Sequence, residues 1–104
     1  MIRVIIEREI AEGLEQYYEQ TMKGLFDELA LAPGYLSGES LVDIRHSNRY
    51  VVITRWASEE AWNRWLHSNR RLEMLSELRP FLLKDEKFTL LRQLHYQRME
   101  SEPR

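Results

Sequence analysis

The chain has 104 residues, of which 43% are hydrophobic and 31% charged, with a formal net charge of −2 and no cysteine. This length suits one domain with one core, and the charge argues against a dedicated nucleic-acid-binding protein. The lack of cysteine excludes disulfides, thiolate nucleophiles, zinc–thiolate sites and iron–sulfur clusters. Because no apolar run could span a bilayer, and "MIRVIIERE" mixes acid and base where a secretory signal would not, we expect a cytoplasmic protein with no membrane partner.

The first half of the chain predicts a strand, a helix and a hairpin. "IRVIIER" alternates with the period of a strand. A helical stripe follows and ends at Pro33-Gly34. "YLSGESLVDIR" and "RYVVITRW" are then two strands joined by the turn "HSN". The residues of the helical stripe are spaced by three or four: Leu14, Tyr18, Met22, Leu25 and Leu29.

The second half predicts a broken helical region and a last strand. Ser58 is placed as an N-cap before Glu59 and Glu60, whose charge suits the first turn of a helix. Ser68-Asn69 favours a break, and Pro80 ends the helical region. "EKFTLLRQLHY" makes the final strand. We therefore predict one domain over residues 1–95 and a polar tail over residues 96–104.

The order strand, helix, strand, strand, helix, strand predicts an α+β, ferredoxin-like fold, in which a four-stranded antiparallel sheet carries its helices on one face. Apolar residues also occupy the other face, which the helices cannot cover. This face is most simply buried against the same face of a second copy, so we expect a homodimer in which the two sheets close a barrel. Each half would enclose an apolar cavity edged by Glu7, Arg55, Gln93 and His95.

The segment "WASEEAWNRWLHS", from Trp56 to Ser68, has the form W-x-x-E-E-A-x-x-x-W-x-x-S. With the preceding "APGYLSGESL", it resembles the antibiotic biosynthesis monooxygenase family of the dimeric α+β barrel superfamily. The resemblance covers roughly residues 2–94. It implies a small-molecule cavity and either cofactor-independent oxygenation of phenols or anthrones or, in another branch, haem breakdown. No cofactor is expected for the first of these.

The resemblance implies roles for particular residues. Trp56 matches the tryptophan that ends the third strand, and Trp65 matches the helix tryptophan that lines the pocket in the haem-degrading branch. That branch has histidine where this chain has Leu75, and asparagine in the first strand where this chain has Ile6 and Glu7. Leucine cannot ligate iron, so haem degradation is disfavoured.

For cofactor-free oxygenation of a small aromatic substrate, the candidate residues fall into two groups. His95 or His67 would take the proton, and Arg55 would stabilise the anion. The substrate contacts would be Trp65, Tyr50, Trp56 and Asn63.

Structural alternatives stand beside these roles. Trp62 and Trp65 suit a core, the histidines suit the surface, and Arg55 can pair with Glu7 across strands. His46, His67 and His95 have no metal-ligand spacing, so no metal site is expected. A dimer that binds or senses a small molecule without turnover is the alternative function, because a fold does not fix an activity.

Overall fold

In the computed structural model, which describes residues 1–97, the chain folds into one antiparallel sheet with helices on one face. The strand order is β2-β3-β1-β4. The elements in chain order are β1 Ile2–Glu9, α1 Glu15–Leu29, β2 Tyr35–Val42, β3 Arg49–Trp56, α2 Glu59–Leu66, α3 Asn69–Leu78 and β4 Lys87–Arg92. This is the predicted ferredoxin-like arrangement.

Two serines divide the second helical region as expected. Ser58 Oγ accepts a hydrogen bond from the Ala61 N–H at 3.1 Å, which caps α2. Ser68 Oγ accepts one from the Arg71 N–H at 3.1 Å and caps α3. A 3₁₀ turn containing Pro80 follows α3. The predicted break therefore produces two short helices, α2 and α3, in place of one long one.

The sheet alternates between a covered face and an open face. On the covered face, β1 presents Ile2, Val4 and Ile6, all buried under the helices. Arg8 continues this row and is only 4% exposed, which is unusual for a charged side chain at a core position.

The open face is apolar at its centre, as the sequence predicts. Ile5 lies opposite Ile53, and Leu41 lies opposite Val51. Leu91 and Leu41 are each 45% exposed in the monomer. The face that we expect a second copy to cover is therefore present.

Strand β2 departs from simple alternation. The pairing register shifts between Tyr35 and Ser37, so Tyr35 lies opposite Trp56 on the covered face while Leu41 lies on the open face. Strict alternation along "YLSGESLVDIR" would predict Tyr35 and Leu41 on the same side, which the structure contradicts. A bulge adds a residue to one strand and reverses the side of what precedes it.

Gly34 fixes the approach of α2 to the loop before β2. Its φ is +85°, and a Cβ there would lie 2.5 Å from the Ala61 Cβ. Both the backbone conformation and the close contact require glycine. The sequence interpretation as a helix stop explains only the first of these.

Within residues 1–97, no helix is long and apolar enough to cross a membrane. Tyr96 and Gln97 are exposed and outside the sheet, and the rest of the predicted tail lies outside the described residues.

Candidate functional site

The tryptophans form one aromatic cluster between sheet and helices. Trp56 is fully buried, and its indole Nε1 donates to Thr54 Oγ1 at 3.0 Å. Trp62 contacts the Trp56 ring edge-on, with centroids 5.6 Å apart, and Trp65 stacks on Trp56 at 6.3 Å. Phe88 of β4 packs against Trp62 at 5.6 Å. Trp62 is therefore core, as the structural alternative expected.

Trp65 lies at the edge of this cluster, and 8% of its surface remains exposed. It lines a pocket of about 420 Å³ between α2, α3 and the loop after α1, here called the Trp65 pocket. Glu28 and Arg70, which also line it, form an ion pair at 3.8 Å.

Tyr50 is buried on the covered face, where its hydroxyl donates to Glu19 Oε2 at 2.5 Å. Burial and the hydrogen bond to this carboxylate both raise the pKa of the Tyr50 phenol. Its ring packs against Tyr18, with centroids 4.6 Å apart. Tyr50 is therefore a protonated, anchored side chain that is not poised to act as a base.

The other predicted residues lie apart. His67 ends α2, is exposed, and has Nδ1 2.9 Å from the Asn63 carbonyl oxygen. Asn63 and His95 are exposed, and His95 lies beyond the end of β4. Arg55 lies on the open face opposite Arg3. The structure therefore brings together Trp56 with Trp65, and His67 with Asn63, but it does not bring all the predicted residues to one site.

The alternative pairing of Arg55 with Glu7 is wrong. Glu7 lies opposite Val51, four residues from Arg55 along the strand, and its carboxylate is 3.8 Å from Lys87 Nζ. The Arg55 Nε is buried without a hydrogen-bond partner among residues 1–97.

A second pocket, of about 540 Å³, lies between α3 and the loop that leads to β4, here called the α3 pocket. Its apolar side chains come from α2, α3, the loop and β4, and its charged side chains come from α3 and the segment between α3 and β4. The lining residues are Leu66, Arg71, Leu72, Leu75, Arg79, Leu82, Leu83, Lys84, Asp85, Glu86 and Phe88. An apolar wall with a few charged groups is what small-molecule sites have in common.

A buried charge cluster of Arg8, Arg71 and Glu86 lies at the α3 pocket, which Arg71 and Glu86 line. The Glu86 carboxylate accepts from Arg8 Nε at 2.7 Å and from Arg71 Nη2 at 2.5 Å. The three side chains are only 3–5% exposed. Two guanidinium groups thus share one carboxylate inside the protein.

Arg8 has further partners on α1. Its Nη1 lies 3.0 Å from Tyr18 Oη and 3.2 Å from Met22 Sδ. Burial acts to lower the pKa of the Arg8 guanidinium, but Tyr18 and Glu86 outweigh it and the net shift is upward. Burial also raises the pKa of the Tyr18 phenol. Arg8 is therefore a permanent cation beside a neutral phenol.

Arg71 is held from two sides. Its backbone lies in the first turn of α3, and its guanidinium carbon lies 5.6 Å from the centre of the Phe88 ring, in cation–π contact. Its Nη1 is buried and has no hydrogen-bond partner among residues 1–97. Buried donors of this kind are rare and call for an explanation.

Sequence reasoning missed Arg8, Arg71 and Glu86. A signal was available for two of them, because Arg8 continues the buried row of β1 and Arg71 shares the buried stripe of α3 with Met74 and Leu78. A charged residue at a core position indicates a partner or a function. Glu86 lies in a loop with no such pattern.

No three histidine, aspartate or glutamate side chains of residues 1–97 come together as a metal ion would require.

Comparisons with known proteins agree with this architecture. The chain is similar to SnoaB of Streptomyces nogalater, a cofactor-independent oxygenase, with 20% identity, a TM-score of 0.78 and coverage of 91% of this chain and 95% of that one. A conserved protein of Methanosarcina mazei gives 17% identity, a TM-score of 0.81 and coverage of 89% and 92%. These likenesses show the fold.

A sequence relative is protein SchA of Streptomyces halstedii, 22% identical over 81 residues. The match covers 78% of this chain and 21% of SchA, so the chain spans about a fifth of the length of that relative. The family model for antibiotic biosynthesis monooxygenase matches residues 1–75, most of the chain, including β1, both strands of the hairpin and the tryptophan segment. The chain therefore belongs to the antibiotic biosynthesis monooxygenase family.

Proposed function

We propose that the protein is a cofactor-independent oxygenase whose substrate, a small phenol or anthrone, binds in the α3 pocket of a cytoplasmic homodimer. The observation that carries the proposal is the pocket itself. Leucine side chains, the Phe88 ring and the buried guanidinium of Arg71 together line a space of about 540 Å³, in a chain of this family.

The chemistry needs little from the protein. An anthrone loses a proton and its anion passes electrons to dioxygen. The CH2 carbon becomes a carbonyl, one oxygen atom enters the product, and the other leaves as water. The pocket must exclude water, hold the ring, and favour the ionised form, for which a nearby positive charge is suited.

Leu75 supports this choice over haem breakdown. It lines the α3 pocket at the position where the haem-degrading branch has its histidine. We therefore expect hemin mixed with the protein and a reductant to keep its Soret band. Enzyme-dependent loss of that band with a linear tetrapyrrole product would contradict this.

The test of the pocket uses two leucines of similar exposure. Leu83, 60% exposed, lines the α3 pocket, and Leu31, 75% exposed, lines the Trp65 pocket. Leu83→Trp should fill the α3 pocket and lower the rate of oxygen uptake with an anthrone at least tenfold, while Leu31→Trp leaves it unchanged. The reverse pattern would assign the substrate to the Trp65 pocket, where the sequence interpretation of Trp65 places it.

Binding without turnover is the second candidate function. Among residues 1–97, all three histidines are exposed and none lines the α3 pocket, so no histidine base is in place there. Saturable binding of an anthrone or phenol without oxygen uptake would favour this candidate and contradict the first.

The homodimer is proposed from the open face of the sheet. Leu90 and Leu91 are neighbours in β4 with similar exposure, 42% and 45%, but they lie on opposite faces, opposite Val4 and Arg3 respectively. Leu91→Lys should dissociate the dimer in light scattering, and Leu90→Lys should not. A wild-type monomer at micromolar concentration would contradict the proposal.

A further inference from the structure

The buried charge cluster contains more positive than negative charge. Arg8 and Arg71 contribute two guanidinium groups and Glu86 contributes one carboxylate, so the cluster keeps one excess positive charge. A buried charge without a counter-ion is strongly unfavourable. A protein that retains one has either a structural counter-charge nearby or a ligand that supplies it.

The nearest side chains do not supply the counter-charge. The Tyr18 hydroxyl and the Met22 sulfur, which contact Arg8, are neutral groups, because burial keeps the pKa of the phenol above its ordinary value. Both oxygens of Glu86 are already used, one by each arginine. The cluster therefore has no second anion in contact with it among residues 1–97.

The other charged groups of the α3 pocket lie at its rim. Lys84 pairs with Glu9 at 2.9 Å. Arg79 and Asp85 are exposed, and neither forms an ion pair within residues 1–97. Exposed charges of opposite sign largely offset each other and are screened by solvent. The excess positive charge of the buried cluster of Arg8, Arg71 and Glu86 therefore dominates the electrostatic potential at the buried end of the α3 pocket.

Arg71 is the member of the cluster that faces a ligand space. It lines the α3 pocket, whereas Arg8 does not, and its Nη1 lacks an acceptor within the described residues. The adjoining wall is apolar and includes the Phe88 ring. A ligand with an aromatic ring against Phe88 and a negative oxygen toward Arg71 would complete both the packing and the charge.

We infer that the ligand of the α3 pocket is an aromatic oxyanion, a carboxylate or an ionised phenol, whose oxygen accepts a hydrogen bond from Arg71. This rests on the proposed function for the choice of an aromatic ligand and deepens it by naming the charged group. Arg71 is then the residue that sets specificity, and Arg8 and Glu86 position it.

Equilibrium binding to three probes tests the inference: β-naphthoate, its uncharged methyl ester, and β-naphthol. Calorimetry on the wild-type protein should show naphthoate bound at least about tenfold more tightly than the ester, as a charge-assisted hydrogen bond implies. Naphthol binding that strengthens as its hydroxyl ionises would identify the phenolate as the source of the charge, and naphthoate preference alone would identify the carboxylate. Equal affinity for acid, ester and naphthol would overturn the inference.

The variants are Arg71→Met and, as a matched control, Arg70→Met. Arg70 is the preceding residue of α3, but it is exposed and pairs with Glu28 outside the α3 pocket. Arg71→Met should abolish the preference for naphthoate over its ester, and Arg70→Met should keep it. A preference that survives Arg71→Met would overturn the inference.

Glu86→Gln keeps the inference testable if Arg71→Met fails to fold. Removing the carboxylate leaves two guanidinium groups without their anion. Naphthoate should therefore bind the Glu86→Gln variant more tightly than the wild-type protein, and it should raise the Tm of the variant by more than that of the wild type. A purely structural cluster predicts lower stability with no greater response to the anion, and that result would overturn the inference.

These measurements also separate the two proposals. Preferential naphthoate binding without any oxygen uptake would leave the oxyanion site standing and remove the oxygenase. Oxygen uptake with an anthrone, together with no preference for naphthoate over its ester, would support the oxygenase and rule out the oxyanion site.

Discussion

Two buried clusters lie on the covered face of the sheet and differ in how completely their polar groups find partners. In the aromatic cluster, the rings of Trp56, Trp62 and Phe88 pack edge to face, and the Trp56 N–H has its acceptor in Thr54. In the charge cluster of Arg8, Arg71 and Glu86, residues 1–97 leave one positive charge without a counter-charge and one buried nitrogen without a hydrogen-bond partner. The first cluster explains stability, and the second points to a ligand.

The largest expected effect belongs to the aromatic cluster. Trp62 is 1% exposed between Trp56 and Phe88, so Trp62→Ala should lower the free energy of unfolding by about 3–5 kcal/mol, as for other large aromatic side chains removed from a core. Urea denaturation measures this. A loss below 1 kcal/mol would mean that the site collapses around the deletion and that the cluster is not a tightly packed core.

The charge cluster should give a somewhat smaller effect of a different kind. Glu86→Gln keeps an acceptor oxygen but removes the carboxylate charge that Arg8 and Arg71 share, which should cost about 3 kcal/mol. Unlike the loss in Trp62→Ala, this loss should be partly recovered by adding β-naphthoate. A Trp62→Ala protein that recovers equally would remove the distinction between the two clusters.

The sequence predicts the aromatic cluster better than the charge cluster for a physical reason. Tryptophans at helical spacing and alternating strands are local patterns, and β3 was predicted with its observed bounds, Arg49–Trp56. The buried ion pairs join residues 8, 71 and 86, which only the tertiary fold brings together. No local period indicates that the Glu86 side chain turns inward.

The bulge in β2 and the exposed positions of the histidines also depend on tertiary packing, so local sequence patterns do not predict them. Strand alternation cannot reveal the register shift at Tyr35–Ser37, because that shift depends on pairing with β3. His67 and Asn63 share a helix face, but whether that face meets a pocket depends on what α2 packs against. The order of predicted strands and helices indicated the fold and the family resemblance agreed with it, whereas the position of the proposed site depends on tertiary packing.

The two buried tyrosines, Tyr50 and Tyr18, should make the folded protein less stable in alkaline solution. The pKa of Tyr50 is raised by burial and by its hydrogen bond to Glu19, and burial also raises that of Tyr18. Each phenol stays protonated in the folded protein while the unfolded chain ionises near pH 10. The unfolded state then binds fewer protons, so stability is fully present below about pH 10 and falls above it, by up to about 1.4 kcal/mol per pH unit for each tyrosine.

Tyr50→Phe should reduce the steepness of this alkaline loss, and Tyr17→Phe, at a position that is 60% exposed, should not. Urea denaturation at several pH values between about 9 and 11.5 supplies both slopes. Equal slopes for Tyr50→Phe and the wild type would mean that Tyr50 ionises as readily in the folded protein as in the unfolded chain.

The smallest effect concerns Trp65, which stacks on Trp56 in the aromatic cluster and also lines the Trp65 pocket. Trp65→Phe keeps an aromatic ring, so it should cost only about 1 kcal/mol of stability. It deletes the indole N–H, the hydrogen-bond donor that Trp65 could offer to a substrate. If the ligand occupies the α3 pocket, which Trp65 does not line, the affinity for β-naphthoate measured by calorimetry should stay within about twofold of the wild-type value, because less than 0.5 kcal/mol of binding energy is then at stake. A tenfold loss of affinity, with Arg71→Met leaving binding intact, would move the ligand to the Trp65 pocket. The aromatic cluster would then be the functional one, and the charge cluster would be structural.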